Sequence, residues 1–405
     1  MRGDGRRPAP EVISLVWPHV EGGAGVRHCY DGALMAAPAH DLVAVVGELS
    51  TKLATRSRHV CVLLGAGASV GAGLPDLAGL TSEVLDALGK DDKTILGELL
   101  KGRNLEQAIT RLRRIEALLE KDEKVNGLDK ANAIRLDAEV CDAIIAAIRA
   151  PKKLDAFHRL GSWAGRADYR GPIEIFTANY DLLAEAGLEH VGASYFDGFV
   201  GHLHGFFRPD LVEAIDATSP GQLPPSFVRL WKLHGSSNWV WQTMDGGHRR
   251  ITRLGDHAPK GTAVAVFPSD EKYDDSRRVP FVVLMDRFRR ALAEPETLLL
   301  VSGYSFGDQH LNDIIFDAAR RKPRSEYVAF CYSVIPDALK AEALKTRNMT
   351  VLGADDGIIG GQLGAWAADV DLPGVAESKR CRLGDFGCLA AFLDRQNQPL
   401  DLSTP

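Results

Sequence analysis

The segment VCVLLGAGASVGAGLPD, from Val60 to Asp76, constrains the fold more strongly than any other part of the chain. Its first five residues are apolar, and they run directly into a loop that contains Gly65, Gly67 and Gly71. This pattern predicts a buried strand followed by a tight glycine loop, which brings backbone N–H groups close to a phosphate or simply turns the chain into a helix. Because no Lys-Ser or Lys-Thr pair follows, a dinucleotide diphosphate is favoured over a triphosphate.

Five later segments also have the composition of buried strands. They are IEIFTANYD from Ile173, FVRLWKLHG from Phe227, TAVAVFP from Thr262, TLLLVSGYS from Thr297 and EYVAFCYS from Glu326. Helical patterns follow Asp181 and Asp308, so strands and helices alternate along the chain. We therefore predict an α/β fold with a Rossmann-like, doubly wound parallel sheet.

The remaining segments divide the chain around this sheet. Residues 1–38 are rich in Gly, Pro and Arg and predict a flexible N-terminal arm. Residues 39–335 are predicted to form the α/β domain, and residues 336–405 a C-terminal extension. Between about 80 and 165, apolar residues recur at helical spacing, most clearly in NLEQAITRLRRIEALLEK from Asn104. This helical insertion is predicted to be either a lid or a surface for assembly contacts.

Composition limits the classes of partner and site. The 405 residues carry a net charge of −6, with 45% hydrophobic and 25% charged residues, so no general attraction to nucleic acid or to an anionic membrane is expected. The six cysteines lack the spacing of a zinc knuckle, and we predict neither a zinc module nor a disulfide framework. No apolar run suits a membrane span or a signal peptide, which predicts a cytoplasmic protein.

Small and polar residues follow several predicted strands, at the edge where open α/β sheets bind ligands. Asn179 and Asp181 follow IEIFT, His234 follows RLWKL, and Ser305 and Asp308 follow TLLLVS. Together with the glycine loop, they favour a nucleotide crevice. Each has a structural alternative, since an aspartate before a helix suits an N-cap and a single histidine is often structural.

In their order along the chain, these motifs resemble the NAD-binding core of sirtuins. The matching segments are GAGAS from Gly65, GLPD from Gly73, TANYD from Thr177, KLHGS from Lys232 and GYS from Gly303. The NYD tyrosine, KLHGS and GYSFGDQHLN resemble in particular the sirtuin-like effector domains of bacterial antiphage defence systems, which consume NAD. The resemblance implies a hydrolase with NAD as its substrate, an NAD glycohydrolase or NAD nucleosidase that releases nicotinamide and ADP-ribose or a cyclised product.

Two departures separate the chain from protein-deacylating sirtuins. Those enzymes carry a four-cysteine zinc module, which this chain does not match, and a Phe-Arg pair where Leu77 and Ala78 follow the Pro-Asp here. We therefore predict no metal and place deacylation below two other functions. These are NAD cleavage, which we favour, and a non-catalytic sensor that binds NAD or ADP-ribose.

The resemblance also implies a role for each candidate residue. Asn179 would position the ribose and the attacking water, His234 would act as a base near the ribose hydroxyls, and Asp181 would hold the nicotinamide carboxamide. The other predicted contacts to NAD are Gly65, Ala66, Gly67, Ala68, Ser69, Pro75, Asp76, Thr177, Gly303, Ser305 and Asp308. The residues from Gly65 to Ser69 would line the diphosphate, Asp76 would order the loop around the nicotinamide ribose, and the last three would contact the adenosine side.

A second His-Gly pair, His204 and Gly205, is the alternative position for the base. It lies among aromatic residues that we predict to be core or a lid, namely Phe196, Phe199, Phe206 and Phe207.

The resemblance extends to partners. The chain contains no Walker motif and has no room for a helicase or Argonaute module beside the predicted domain, so a separate activator is expected. Within this family, the resemblance implies the sirtuin-like subunit that assembles with a HerA-type ATPase. We therefore predict a homo-oligomer with a separate nucleic-acid-sensing partner, without direct binding to nucleic acid or membrane.

Overall fold

The computed structural model describes residues 39–120, 123–125, 127–201, 204–214, 226–244, 249–262, 264–266, 279–367 and 371–396. The predicted N-terminal arm, residues 1–38, lies outside these residues. In the described parts of the chain, no helix has both the length and the apolar character that crossing a membrane requires.

The strands form three sheets. In chain order they are β1 (Ala39–His40), β2 (His59–Leu64), β3 (Ile173–Thr177), β4 (Tyr195–Phe196), β5 (Phe199–Val200), β6 (His204–Phe207), β7 (Val228–Lys232), β8 (Gly235–Thr243), β9 (Arg249–Leu254), β10 (Val264–Val266), β11 (Thr297–Ser302), β12 (Glu326–Phe330), β13 (Met349–Leu352), β14 (Asp356–Ile359), β15 (Gln362–Trp366), β16 (Ala376–Glu377) and β17 (Arg380–Cys381).

The helices cover both faces of the largest sheet. They are α1 (Leu42–Ala54), α2 (Gly67–Val70), α3 (Leu77–Ala87), α4 (Lys90–Leu100), α5 (Leu105–Leu118), α6 (Lys130–Ile148), α7 (Asp155–Ala164), α8 (Leu183–His190), α9 (Pro209–Ala214), α10 (Phe281–Ala293), α11 (Gln309–Arg321), α12 (Asp337–Ala343) and α13 (Phe386–Arg395). Along β2, Val60, Val62 and Leu64 enter the core that contains α1 and α7, whereas Cys61 and Leu63 enter the core that contains α10 and α11. Burial on both faces explains why this strand is a continuous apolar run.

The strand order of the main sheet is that of a doubly wound fold. The order is β1-β15-β14-β13-β12-β11-β2-β3-β7-β4, and the strands from β13 to β4 are mutually parallel. From β2 the chain moves outward through β3 to β7 and then returns to β11 on the other side of β2. The carboxyl ends of β2 and β11 therefore meet at the topological switch point, where sheets of this kind bind ligands. The predicted fold class is confirmed.

One predicted strand belongs to a different sheet. The segment from Thr262 does form β10, but β10 pairs with β8 in a five-stranded antiparallel sheet of order β10-β8-β9-β6-β5. Placing it in the parallel sheet was wrong, because an apolar strand pattern does not specify the pairing partner. The residues after 335, predicted as an extension, contribute β13, β14 and β15 to the main sheet.

The helical insertion contains α3 to α6, with α7 at its end. In α5, the buried residues Leu105, Ile109 and Leu112 form the stripe expected from the sequence. Asn104 caps this helix, and Gln107 returns the hydrogen bond to the backbone of Asn104, so both groups form a capping box. The start of α5 is thus fixed in position.

Candidate functional site

Two loops meet at the switch point with their backbones in direct contact. Gly65 follows β2, and its amide donates to Ser302 O at 3.0 Å; Gly67 donates to Gly303 O at 2.8 Å. A methyl group on Gly65 would lie 2.5 Å from Gly303 O, and a methyl group on Gly303 would overlap the Ala68 amide. Gly303 also has a φ of +65°, which other residues rarely adopt. Glycine is therefore required for the two loops to approach each other.

The amides of the glycine loop already have protein partners. Besides Gly65 and Gly67, Ala68 N donates to Gly65 O and Ser69 N to Ala66 O, both at 3.0 Å. The predicted diphosphate contact of these residues stays a prediction. What the structure adds is a role in bringing β2 and β11 together.

Asn179 links this loop to the end of β3. Its side chain is 8% exposed, and Nδ2 donates to Gly65 O and to Ser69 Oγ, both at 3.0 Å. Thr177 Oγ1 accepts from the Asn179 backbone amide at 3.0 Å. The side-chain amide of Asn179 is therefore held in a single orientation between the ends of β2 and β3.

The same hydrogen-bond chain continues to Asp181. Ser69 Oγ donates to Asp181 Oδ2 at 2.7 Å, and Asp181 Oδ1 accepts from the Leu183 amide at 3.1 Å. This second bond satisfies a free amide at the start of α8, but the N-cap of this helix is Leu182, so Asp181 lies one residue before the position that the capping alternative gave it. The Lys232 ammonium donates to Asp181 O and lies 3.0 Å from Glu185 Oε1 beneath the loop.

His234, which follows β7, and Asp308, which precedes α11, form a pair. His234 Nε2 lies 3.0 Å from Asp308 Oδ2, and Asp308 caps α11 through bonds from the amides of His310 and Leu311. Burial acts to raise the pKa of Asp308, but the hydrogen bond and charge of His234 outweigh it and hold that pKa below its ordinary value. Asp308 thus orients the imidazole and caps the helix at the same time.

The other predicted residues lie at a helix start and in the loops after β2 and β11. Asp76 is the N-cap of α3, where its Oδ1 accepts from Gly79 N at 2.8 Å, and Pro75 precedes it. Ala66 and Ser305 are exposed in the loops after β2 and β11. The alternative base, His204, lies on β6 of the antiparallel sheet, where it is exposed and pairs with Leu254.

The aromatic residues near His204 divide into buried and exposed positions. Phe199 is buried and packs on Trp239 with ring centroids 4.9 Å apart. Phe206 is 37% exposed, and the Arg250 guanidinium lies 3.9 Å from its ring centroid. These contacts agree with a core position for Phe199 and a surface position for Phe206.

Sequence reasoning missed two tyrosines and a glutamate that border the site. The Tyr180 hydroxyl donates to Glu106 Oε1 of α5 at 3.0 Å. The Tyr304 hydroxyl lies 3.0 Å from both Asp308 O and Asn312 Oδ1. Both tyrosines stand inside motifs that the sequence identified, but Glu106 is one of several charged residues on an amphipathic helix and has no distinguishing local signal.

The site is therefore an uncharged amide and a carboxylate-held imidazole at one sheet edge. Such groups accept and donate hydrogen bonds and move a proton. In the described ranges of the chain, no cluster of three or more His, Cys, Asp or Glu side chains is arranged to hold a metal ion.

Comparison with known proteins gives one family match. A model described as a SIR2-like domain matches residues 173–352, which include Asn179, His234 and Asp308 but not the glycine loop. No curated protein matches the chain. Residues 173–352 are thus similar to SIR2-like domains.

Two solved structures of Sir2 homologues are also similar to the chain. One, a complex with NAD, has a TM-score of 0.46 and 12% identity, and the similarity covers 89% of this chain and 95% of the other. The second, a mutant in complex with 2′-O-acetyl ADP-ribose, has a TM-score of 0.37 and 16% identity, with 70% and 83% covered.

Proposed function

We propose that this protein is an NAD glycohydrolase, which cleaves the bond between nicotinamide and ribose. The observation that carries the proposal is the buried amide of Asn179, held by Gly65 O and Ser69 Oγ at the switch point of a doubly wound sheet. The match of residues 173–352 to a SIR2-like domain and the motif order support NAD as the ligand.

The reaction requires the protein mainly to position the ribose and the attacking water. Scission of the C1′–N bond passes through an oxocarbenium-like state, and nicotinamide is a good leaving group. Both Nδ2 hydrogens of Asn179 are engaged, which leaves Oδ1 to accept from a ribose hydroxyl or an attacking water. A fixed acceptor of this kind lowers the barrier by holding the reactants in a reactive orientation.

His234 is the base in this proposal. The Asp308 carboxylate fixes its ring, and an imidazole nitrogen can take a proton from a ribose hydroxyl. Asp181 and Asp308 add negative charge near the cationic centre that develops on the ribose.

The test is release of nicotinamide from NAD by the purified chain, followed by chromatography. Wild type and His204→Ala should release nicotinamide at similar rates, whereas His234→Ala should lose at least about a hundredfold. Loss of activity in His204→Ala with retention in His234→Ala would move the base to β6. NAD binding without any product would instead identify a non-catalytic sensor.

We further propose that this activity depletes NAD in the cytoplasm as the effector of an antiphage defence system. The support is the resemblance of NYD, KLHGS and GYSFGD to such effector domains. By the same resemblance, the chain would form a homo-oligomer and assemble with a separate HerA-type ATPase. Light scattering of the chain alone and with the ATPase, and NAD turnover with and without DNA, test these parts separately from the catalytic assignment.

A further inference from the structure

A partly buried hydrogen bond connects the helical insertion to the centre of the candidate site. Tyr180 lies between Asn179 and Asp181 and is 8% exposed. Its hydroxyl donates to Glu106 Oε1 at 3.0 Å. The two residues are 74 positions apart in the sequence, so the tertiary structure brings α5 and the loop after β3 together.

Tyr180 and Glu106 are each held in place by their surroundings as well. The Tyr180 carbonyl accepts from the Ser237 amide at 2.9 Å, which ties the backbone of the loop to β8. Glu106 lies in the first turn of α5, next to the fully buried Leu105 and inside the capping box of Asn104. A carboxylate in the first turn is also favoured by the helix dipole. The bond therefore joins two rigid points.

Tyr180 is the donor in this bond. Burial, followed by the Glu106 carboxylate, raises the pKa of the Tyr180 hydroxyl. The hydroxyl thus remains protonated and donates to a charged acceptor, a bond roughly twice as strong as a neutral one.

We propose that Glu106 is a positioning residue for NAD cleavage, which acts by holding Tyr180 and thereby the neighbouring Asn179. This inference rests on the proposed glycohydrolase function. Glu106 need not touch NAD: loss of its bond frees the hydroxyl end of the Tyr180 ring, which lies between the two residues of the Ser69 hydrogen-bond network. Because a misplacement of about 1 Å at a reacting group costs up to about a hundredfold in rate, a remote anchor is sufficient to change turnover.

The experiment compares five variants of the full-length chain with wild type, under the condition in which wild type releases nicotinamide. Glu106→Ala and Tyr180→Phe should each lower kcat at least about tenfold, with the KM for NAD within about threefold of wild type. The double variant should be no slower than the slower single variant, because both changes remove the same bond. Glu106→Gln should recover most of kcat, since its amide oxygen accepts from the same hydroxyl.

Glu83→Ala, an exposed glutamate on α3, is the control and should match wild type. Thermal unfolding of each variant separates positioning from loss of fold. Wild-type turnover in Glu106→Ala would overturn the inference, and so would additive losses in the double variant or a KM increase that accounts for the whole effect. An inactive wild type that binds no NAD would overturn the proposed function, and this inference with it.

Discussion

Two buried polar clusters lie on the same strand, β3, and they differ in how completely their groups are paired. Glu174 stands near the start of β3, and Thr177 at the end of this strand lies roughly 10 Å further along it. Asn179 follows two residues after Thr177. The Glu174 side chain has no exposed surface, whereas the Asp308 side chain in the candidate site is 22% exposed. The first cluster is closed and the second is open at one side.

The closed cluster is ionic. Glu174 accepts from His59 Nε2 at 2.9 Å, Trp231 Nε1 at 2.7 Å and Arg287 Nε at 2.8 Å. Burial acts to raise the pKa of Glu174, but the bonds from His59 and Arg287 outweigh it and hold that pKa far below its ordinary value. These three donors converge on a carboxylate that has no exposed surface, so the cluster offers no room for a ligand.

The open cluster is built from weaker, mostly uncharged contacts. Asn179 Nδ2 donates to Ser69 Oγ at 3.0 Å, and Ser69 Oγ donates to Asp181 Oδ2 at 2.7 Å. The pair of a carboxylate and an imidazole, Asp308 and His234, lies at the margin of this cluster. The comparison teaches that burial of polar groups does not identify a site. Position at the carboxyl edge of the sheet, where open α/β sheets bind ligands, is the better indicator of a site.

The largest expected effect is on stability, at the closed cluster. Glu174→Gln keeps the shape but leaves the charge of Arg287 without its counterion, and breaking a buried pair costs about 3–5 kcal/mol. We expect a clearly lower midpoint of thermal unfolding. Glu98→Gln, an exposed residue on α4, should shift the midpoint little. Equal midpoints for the two variants would contradict a structural role for Glu174.

The next effect is on activity, at the open cluster. Asn179→Ala removes the amide that links Gly65 to Ser69, and we expect at least about a hundredfold loss of nicotinamide release. The unfolding free energy should fall by only about 1–2 kcal/mol, because the two acceptors lie close to the crevice. Asn132→Ala, at an exposed position on α6, should change neither quantity. A loss of stability as large as that of Glu174→Gln would erase the difference between the clusters.

The sequence predicted much of this arrangement because the motifs encode backbone geometry. A glycine loop after an apolar strand specifies both the strand end and the close approach, so Gly65 and Gly303 were found without the structure. Glu174 stands alone as a charge in the apolar run IEIFT, and that is a signal for a buried pair. Its donors, His59 and Arg287, are 115 and 113 residues distant along the chain, and local patterns do not specify such contacts.

A third effect concerns the contact between the loops after β2 and β11. Gly303→Ala places a methyl group against the Ala68 amide at a φ of +65°, and a left-handed alanine by itself costs roughly 1–2 kcal/mol. We expect a lower unfolding midpoint together with reduced nicotinamide release, since the loops after β2 and β11 must separate. Gly71→Ala is the matched control, because a methyl group there meets nothing within 4 Å. Unchanged behaviour of Gly303→Ala would show that the loops adapt without consequence.

The smallest effect separates the charge of Asp308 from its capping role. Asn is as good an N-cap as Asp, so Asp308→Asn keeps the start of α11 and removes only the carboxylate beside His234. At neutral pH the unfolding free energy should fall by no more than about 1 kcal/mol. Because the folded pKa of Asp308 lies below the ordinary value of about 3.9, its stabilisation is present above that pH and is lost as the pH falls through the folded pKa.

The wild-type unfolding midpoint should therefore decline more steeply below about pH 4 than that of Asp308→Asn. Asp91→Asn, an exposed change on α4, should follow the wild-type curve. Glu174 has a lowered pKa as well, so both curves retain an acid transition, and the difference between them isolates Asp308. Parallel curves would mean that the pair with His234 adds no stability. Asp308 would then contribute to activity but not to stability, whereas Glu174 in the closed cluster contributes to stability.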